Sequence, residues 1–407
     1  MPPPEDVFTP RAVVSPEMFT RRNGPDLKGN PGLQDVLREA LRDRGAQILM
    51  YGDTGVGKSS LLTYAARDEE MNMVTVECMS DQPLEMLIER AIEQLIDVRE
   101  IKRTSSRTLA GETEAKGGFV HFLSISGRLR GEKGSTQEFE VIDKAPIDVL
   151  VDVMQKTDKR LLVLDNFQNV TALPVRLHVA QTLELLSDRA NATGDIKMVL
   201  IGIADDAQSL LGPSPSSGRR TAEVGVPRMP DDEISEVLET GFRLLALNVP
   251  PETLKSLVFL SDGFPYFCHM LGLHLARSAK RNGGPVTDQT LDAALHRVAQ
   301  EVQESFRHRI ELAIEKGGPV QPRRRILSIM ASGDEREWRA TAIQEAYATR
   351  YGKPKDYAFL QGALGALIKP KHGEVLHRKG TRGNYLYRFR DPPMRPYLRV
   401  TGLADRP

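Results

Sequence analysis

Gly52-Asp53-Thr54-Gly55-Val56-Gly57-Lys58-Ser59 is the stretch whose reading decides the fold. It matches G-x-x-x-x-G-K-S without a gap. It also lies between a short apolar run, Gln47-Ile48-Leu49-Met50-Tyr51, and a helical pattern, Ser59-Ser60-Leu61-Leu62-Thr63-Tyr64-Ala65-Ala66. Strand, glycine loop and helix in that order make a phosphate cradle. Glycines let backbone N–H groups converge on an anion, and the following helix points its positive end at it. Lys58 supplies a point charge for the β- and γ-phosphates, and Ser59 offers Mg²⁺ a hydroxyl. The predicted nucleotide-binding set is Gly52 through Ser59 with Ser60, and the predicted ligands are ATP and Mg²⁺.

Outward from this loop the chain is long enough, at 407 residues, for two or three compact units. Residues 1–30, rich in Pro, Arg and Asn, read as an extended lead-in. Residues 31–228 alternate helical patterns with apolar runs (47–51, 73–78, 160–165, 197–202), which predicts an α/β unit whose parallel sheet is covered on both faces. Within it a helix is expected over 84–100. Residues 116–143 read as an inserted β-hairpin, with strands at 119–126 and 138–142. Residues 229–316 carry helix patterns only: 231–247, 251–261, 265–281 and 287–315. Residues 322–400 give three helices (323–332, 339–351, 356–368) and two strands around a Gly/Arg turn, the outline of a winged helix-turn-helix.

The loop needs an acid on a neighbouring strand to hold the magnesium shell. Asp165, ending Leu161-Leu162-Val163-Leu164, meets that need.

Phosphate loop, inserted hairpin, acid-ended strand, helical bundle and winged helix together resemble the AAA+ superfamily. The likeness is to its origin-recognition and initiator clade and to the neighbouring STAND signalling NTPases, and it spans about residues 20–400. The resemblance implies a helical lid over a P-loop core and assigns further residues. A catalytic glutamate normally follows the magnesium-binding acid, but Asn166 stands there and cannot act as a general base. Asn166 is left to position water or sense the γ-phosphate, with Gln168 nearby. Asp205, after Ile201-Gly202-Ile203-Ala204, occupies a polar-sensor position; capping of the following helix is its equally ordinary reading. Arg219 and Arg220 lie where the superfamily places an arginine finger that reaches a neighbouring subunit. The other reading is a solvated charge pair, and Arg228 is the competing finger. Tyr266 stands near the place of a second-sensor arginine, and Arg277 lies three turns on. The catalytic set implied is Lys58, Asp165, Asn166, Asp205 and Arg220, with Ser59 and Asp165 on the metal.

Lys+Arg and Asp+Glu balance at 55 each, so no global field steers the molecule to nucleic acid. A local excess exists: Lys369–Arg390 contains seven Lys/Arg and one acid. Lys371, Arg378, Lys379, Arg382 and Arg388 are its candidate phosphate contacts. Tyr385, Tyr387 and Phe389 alternate with the basics, so aromatics face one side of the wing. The preceding helix offers only Gln361 to a base edge, which predicts sequence-independent DNA binding if the module meets DNA at all; docking on a protein is the other reading. The segment Phe389–Tyr397 reads as a docking strand and turn.

Two cysteines in apolar runs and eight histidines without metal spacing give no sign of a zinc, nuclease or protease site. The start lacks a signal-peptide pattern and no apolar run is long enough for a bilayer, so a cytoplasmic protein is expected, with no membrane partner. The resulting expectation is an ATP-binding switch with slow hydrolysis, coupled to oligomerisation and to DNA or to an effector or transposase-like protein. Its biological setting would be defence, transposition or replication. A non-hydrolysing nucleotide-binding adaptor and an ATP-responsive DNA-binding regulator are the alternatives.

Overall fold

The computed structural model describes residues 1–24, 31–80, 82–107, 119–130, 136–212, 219–283, 285–301, 304–314, 321–353, 356–381 and 383–404, with side chains described outside 97–107, 119–130, 136–143 and 304–305. The chain divides into two units: Arg21–Asp53 with Lys58–Pro227, and Met1–Thr20 with Thr54–Gly57 and Arg228–Pro407. A helical turn, α1 (Pro4–Val7), opens the chain and belongs to the second.

The first unit runs α2 (Leu33–Arg42), β1 (Gln47–Tyr51), α3 (Lys58–Asp68), β2 (Asn72–Glu77) and α4 (Leu84–Leu95). Next come β3 (Asp97–Arg107), β4 (Phe119–Arg130) and β5 (Thr136–Lys144), then α5 (Pro146–Lys156) and β6 (Lys159–Asp165). It closes with α6 (Leu173–Asp188), α7 (Ala190–Thr193), β7 (Lys197–Gly202), α8 (Ala207–Leu211) and β8 (Thr221–Gly225). The sheet order is β2-β6-β7-β1-β8 and every pairing is parallel. Parallel strands need crossovers, and the helices supply them.

Side chains alternate across the pleat, so each strand divides into two sets. Val74, Val76, Leu162, Leu164, Met198 and Leu200 form one core with Leu87 and Ile88 of α4, Val149 and Val153 of α5, and Leu183 of α6. Each of these side chains contributes about 1.5–3 kcal/mol by leaving water. The alternate set, Leu161, Val163 and Asp165 on β6 with Met73, Thr75 and Glu77 on β2, therefore faces the other side. Register pairs Met73 with Leu161, Thr75 with Val163 and Glu77 with Asp165.

The insertion differs from the expected hairpin. β3, β4 and β5 form a three-stranded antiparallel sheet in the order β3-β4-β5. The helix expected to reach residue 100 stops at Leu95. Its apolar stripe ends there, and the following Val98, Ile101 and Thr104 are β-branched residues that favour strand.

The second unit holds α9 (Asp231–Leu244), α10 (Pro251–Ser261), α11 (Pro265–Asn282), α12 (Asp288–Glu301) and α13 (Glu304–Ala313); whether the helix expected over 287–315 runs unbroken rests on residues outside the described ones. The same unit continues with α14 (Pro322–Ser332), β9 (Trp338–Arg339), α15 (Ala340–Tyr351), α16 (Ala358–Leu367), β10 (Leu376–Lys379), β11 (Leu386–Phe389) and α17 (Met394–Val400). β9, too short for periodicity to reveal, joins the two later strands in the order β10-β11-β9.

Two segments of this unit depart from expectation. The lead-in is no free extension: Phe8 is fully buried, packing on Phe242 (centroids 5.3 Å apart) and on His269 (5.9 Å). Gly241 and Gly272 make its slot, since a Cβ on either would come within 2.4 Å of the ring. The segment after Phe389 is not a strand but helix α17, buried along its whole length. Pro396 is tolerated there because it lies in the first turn, where a backbone N–H has no helical partner anyway.

α17 is tied to the end of α10 by charge. Asp262 Oδ1 accepts Arg395 at 2.9 Å and Arg399 at 3.3 Å, and Oδ2 accepts Arg228 at 2.6 Å. All four side chains are buried. Arg399 stacks over Phe259 and Arg228 over Phe264, at 3.9 and 4.3 Å to the ring centroids.

Candidate nucleotide site

β1 delivers the chain to the loop at Tyr51, and α3 receives it at Lys58, so the motif lies where its flanks predicted. Gly52 (φ 147°) passes so close to the next strand's exit that a Cβ there would stand 2.3 Å from the Val226 carbonyl oxygen. No other residue fits. Lys58 Nζ donates to the carbonyls of Gly52 (3.0 Å) and Asp53 (2.7 Å). Burial pushes its ammonium down to about 8, against the pull of Asp165 and Asp53.

Within the second unit, the segment Thr54–Gly57 packs against the turn that starts α11. Tyr266 N–H donates to Gly55 O at 3.2 Å. Gly55 (φ 78°) leaves room for the tyrosine, since a Cβ there would lie 2.9 Å from Tyr266 Cβ. The turn itself is fixed by Met229 N–H donating to Gly263 O at 2.8 Å.

Asp165 sits at the end of β6 with both oxygens engaged. Oδ2 accepts the Ser59 hydroxyl at 3.1 Å, and Oδ1 accepts the N–H of Asn166 at 2.7 Å. The hydroxyl of the loop and the acid of the strand, 106 positions apart in sequence, are thus brought together. Asn166 adopts the left-handed conformation (φ 56°, ψ 36°), which asparagine tolerates better than most residues. Its Oδ1 accepts Gln168 Nε2 at 3.3 Å, and Gln168 Oε1 accepts the N–H of Ile203 at 3.0 Å. Gln168 is therefore a brace between the ends of β6 and β7, with both amide ends occupied, rather than a side chain aimed at water.

The other expected residues are placed as follows. Asp205 is exposed after β7, and the cap of α8 is Asp206, whose Oδ1 accepts Ser209 N–H at 2.6 Å. Arg220 is held by Asp188 through two bonds of 2.9 and 3.2 Å, while Arg219 is exposed. Arg228, buried on Asp262 and Phe264, is a structural residue of the second unit. Arg277 donates to Glu5 at 2.7 Å. In the C-terminal sheet Tyr387 and Phe389 are buried while Arg378 and Lys379 are exposed, as is Lys371 in the turn before β10. Arg378 lies over the Tyr385 ring at 4.1 Å. Arg388 is half-buried, and Arg382 lies outside the described residues. Sequence reading assigned nothing to Glu77, which register sets beside Asp165.

No described helix is long and apolar enough to cross a membrane. Residues 42–211 match the family described as the AAA domain. A search of the curated proteins finds no significant match. Among solved structures, the ORC2 protein of Aeropyrum pernix, in ADPNP–ADP complexes, is 15% identical, covering 95% of this chain and 96% of its own, with a TM-score of 0.47. The Walker-type ATPase PABY2304 of Pyrococcus abyssi is 19% identical over 94% of this chain and 99% of its own, with a TM-score of 0.47. Cdc6p from Pyrobaculum aerophilum is 15% identical over 98% and 97%, with a TM-score of 0.44.

Proposed function

We propose that the chain, whose residues 42–211 match the AAA domain, is an ATP-binding switch that hydrolyses its nucleotide slowly. The observation that carries this reading is the Ser59–Asp165 contact of 3.1 Å beneath an intact phosphate loop, followed by an asparagine where a base would stand. A hydroxyl and a carboxylate are hard oxygen donors, the kind Mg²⁺ takes, so Ser59 and Asp165 would hold the ion. Bound there, Mg²⁺ would supply neutralisation of charge on the nucleotide's phosphates. Lys58 turns from the Gly52 and Asp53 carbonyls to the phosphates. Asn166, fixed by Gln168, accepts or donates one hydrogen bond near the γ-phosphate but takes up no proton. Without a proton acceptor at position 166 itself, hydrolysis is slow and ATP persists long enough for its state to be read.

The output is contact with DNA or a partner protein through the C-terminal module. Its order of helix, strand, two helices and two strands is that of a winged helix, and Lys371, Arg378 and Lys379 present charge to a phosphate backbone. The exposed face of α16 offers Ala358, Gln361 and Gly362, so binding is set by backbone and shape rather than by base identity. Assembly around Arg219 and Arg220 would use Arg219, or Arg220 once released from Asp188. A partner effector or transposase-like protein and a role in defence, transposition or replication fit such a switch.

A single-turnover assay with labelled ATP·Mg²⁺ tests the reading. Phosphate release over minutes to hours that Lys58→Ala abolishes supports the switch. Binding without any release makes the chain a nucleotide-holding adaptor instead.

A further inference from the structure

We propose that Glu77, on the strand beside Asp165, is the general base for ATP hydrolysis in this chain. The inference rests on the reading of Gly52–Ser59 as an ATP site. Asn166 leaves the usual position without a proton acceptor, and Gln168 is fully engaged as a brace. A base must then come from a neighbour of Asp165. β6 has two neighbouring strands. On β7 the register runs Leu164 to Leu200, which brings apolar Ile201 alongside Asp165. On β2 it pairs Asp165 with Glu77 itself.

Register also fixes the face. In a parallel pair, residues in register project to the same side. Val74 and Val76 of β2 point into the core formed with α4, α5 and α6, as do Leu162 and Leu164 of β6. Glu77 and Asp165, one residue beyond the last of these on each strand, point to the opposite side. Ser59 of α3 meets Asp165 there, and α3 packs against β2. Neighbouring strands lie about 5 Å apart, which sets Glu77 and Asp165 side by side at the strand ends. Glu77 is exposed, and among the described residues nothing pairs with its carboxylate; Arg90 bonds only its backbone oxygen, at 2.9 Å.

The step it performs is balanced by ATP and water alone. Glu77 takes one proton from water as the water oxygen's electron pair forms a bond to the γ-phosphorus. The bond from that phosphorus to the β–γ bridging oxygen breaks, and its electrons stay on ADP. Inorganic phosphate and ADP leave, and Glu77 returns its proton to solvent.

The test uses the full chain and labelled ATP·Mg²⁺, with affinity, single-turnover rate and the identity of the bound nucleotide read separately. General bases contribute roughly 10²–10⁴-fold. Glu77→Gln is therefore expected to slow release about 100-fold or more, to hold ATP affinity within about threefold, and to yield bound nucleotide recovered as ATP where wild type yields ADP. Glu77→Asp, which keeps a carboxylate, is expected to restore part of the rate. Lys58-dependent hydrolysis that survives Glu77→Gln overturns the assignment, and so does a rate lost only together with affinity or fold. ATP bound by wild type but never cleaved also overturns it while leaving the nucleotide site intact. ATP that fails to bind, or binds equally to Lys58→Ala, overturns the ATP-site reading itself.

Discussion

The protonation of Lys58 gives the phosphate loop a pH dependence whose size follows from the structure. Burial holds Lys58 at about 8, against the pull of Asp165 and Asp53. A bound polyphosphate places several negative charges near Nζ and favours the charged form, raising that value. Below pH 8 nucleotide meets a lysine already charged; above it, binding must draw a proton from solution. With a free-state value of about 8, roughly nine-tenths of the molecules carry the charge at pH 7 and roughly one-tenth at pH 9. Apparent affinity therefore falls about tenfold across that interval, or about 1.4 kcal/mol. Phosphate groups, with a second ionisation near 6, contribute little slope there. The assay is titration of a fluorescent ADP analogue at constant ionic strength from pH 7 to 9.5. It is run beside Lys58→Arg, whose guanidinium keeps its charge throughout. A flat wild-type profile would refute the reasoning, as would an equal slope in the arginine variant.

Three further expectations concern the second unit. Phe8→Ala should destabilise it by about 3–5 kcal/mol, because Phe8 is fully buried between Gly241 and Gly272; chemical denaturation measures this, and a loss under 1 kcal/mol would mean the N-terminal segment does not pack as described. Asp262→Ala should cost about 3–5 kcal/mol by leaving Arg228, Arg395 and Arg399 buried without their carboxylate, and proteolysis should then cut near α17 before it cuts wild type. Acid should also weaken this unit. Burial depresses His269 to about 4, and its Nδ1 accepts Thr9 N–H at 3.1 Å, so the unfolded chain, with its histidine near 6.5, takes the proton first. That stability is complete above about pH 6.5 and lost as pH falls towards 4, by about 2 kcal/mol at pH 5; thermal melts that are unchanged in His269→Gln between pH 7 and 5, against a falling wild type, would assign the loss to this residue.

How far these features could be read in advance depends on the distance over which each is encoded. The phosphate loop is eight consecutive residues with both flanks adjacent, and Asp165 ends an unbroken apolar run; both are local patterns. Glu77 looks like any polar strand end until register places it beside Asp165, because that pairing joins strands separated by the whole β3–β5 insertion. The insertion itself was half visible: the aromatic and β-branched runs of β4 and β5 stand out, whereas β3 follows a helix directly with no turn residue between. α17 was hidden by Pro392, Pro393 and Pro396, which read as extended chain although a proline in a first helical turn costs little. The assembly on Asp262 draws on residues from 228 to 399, and no window along the chain contains it. Asp205 was expected to sense or cap, and the cap proved to be its neighbour Asp206, a one-residue choice that only backbone geometry settles.

The most direct test of the central claim is the stoichiometry and Lys58 dependence of ATP·Mg²⁺ binding at equilibrium, measured by calorimetry on the full chain at pH 7. One nucleotide per chain in wild type, with binding lost in a folded Lys58→Ala variant, is the predicted result. A wild-type chain that takes up no nucleotide, or a Lys58→Ala chain that binds it equally well, would contradict the account.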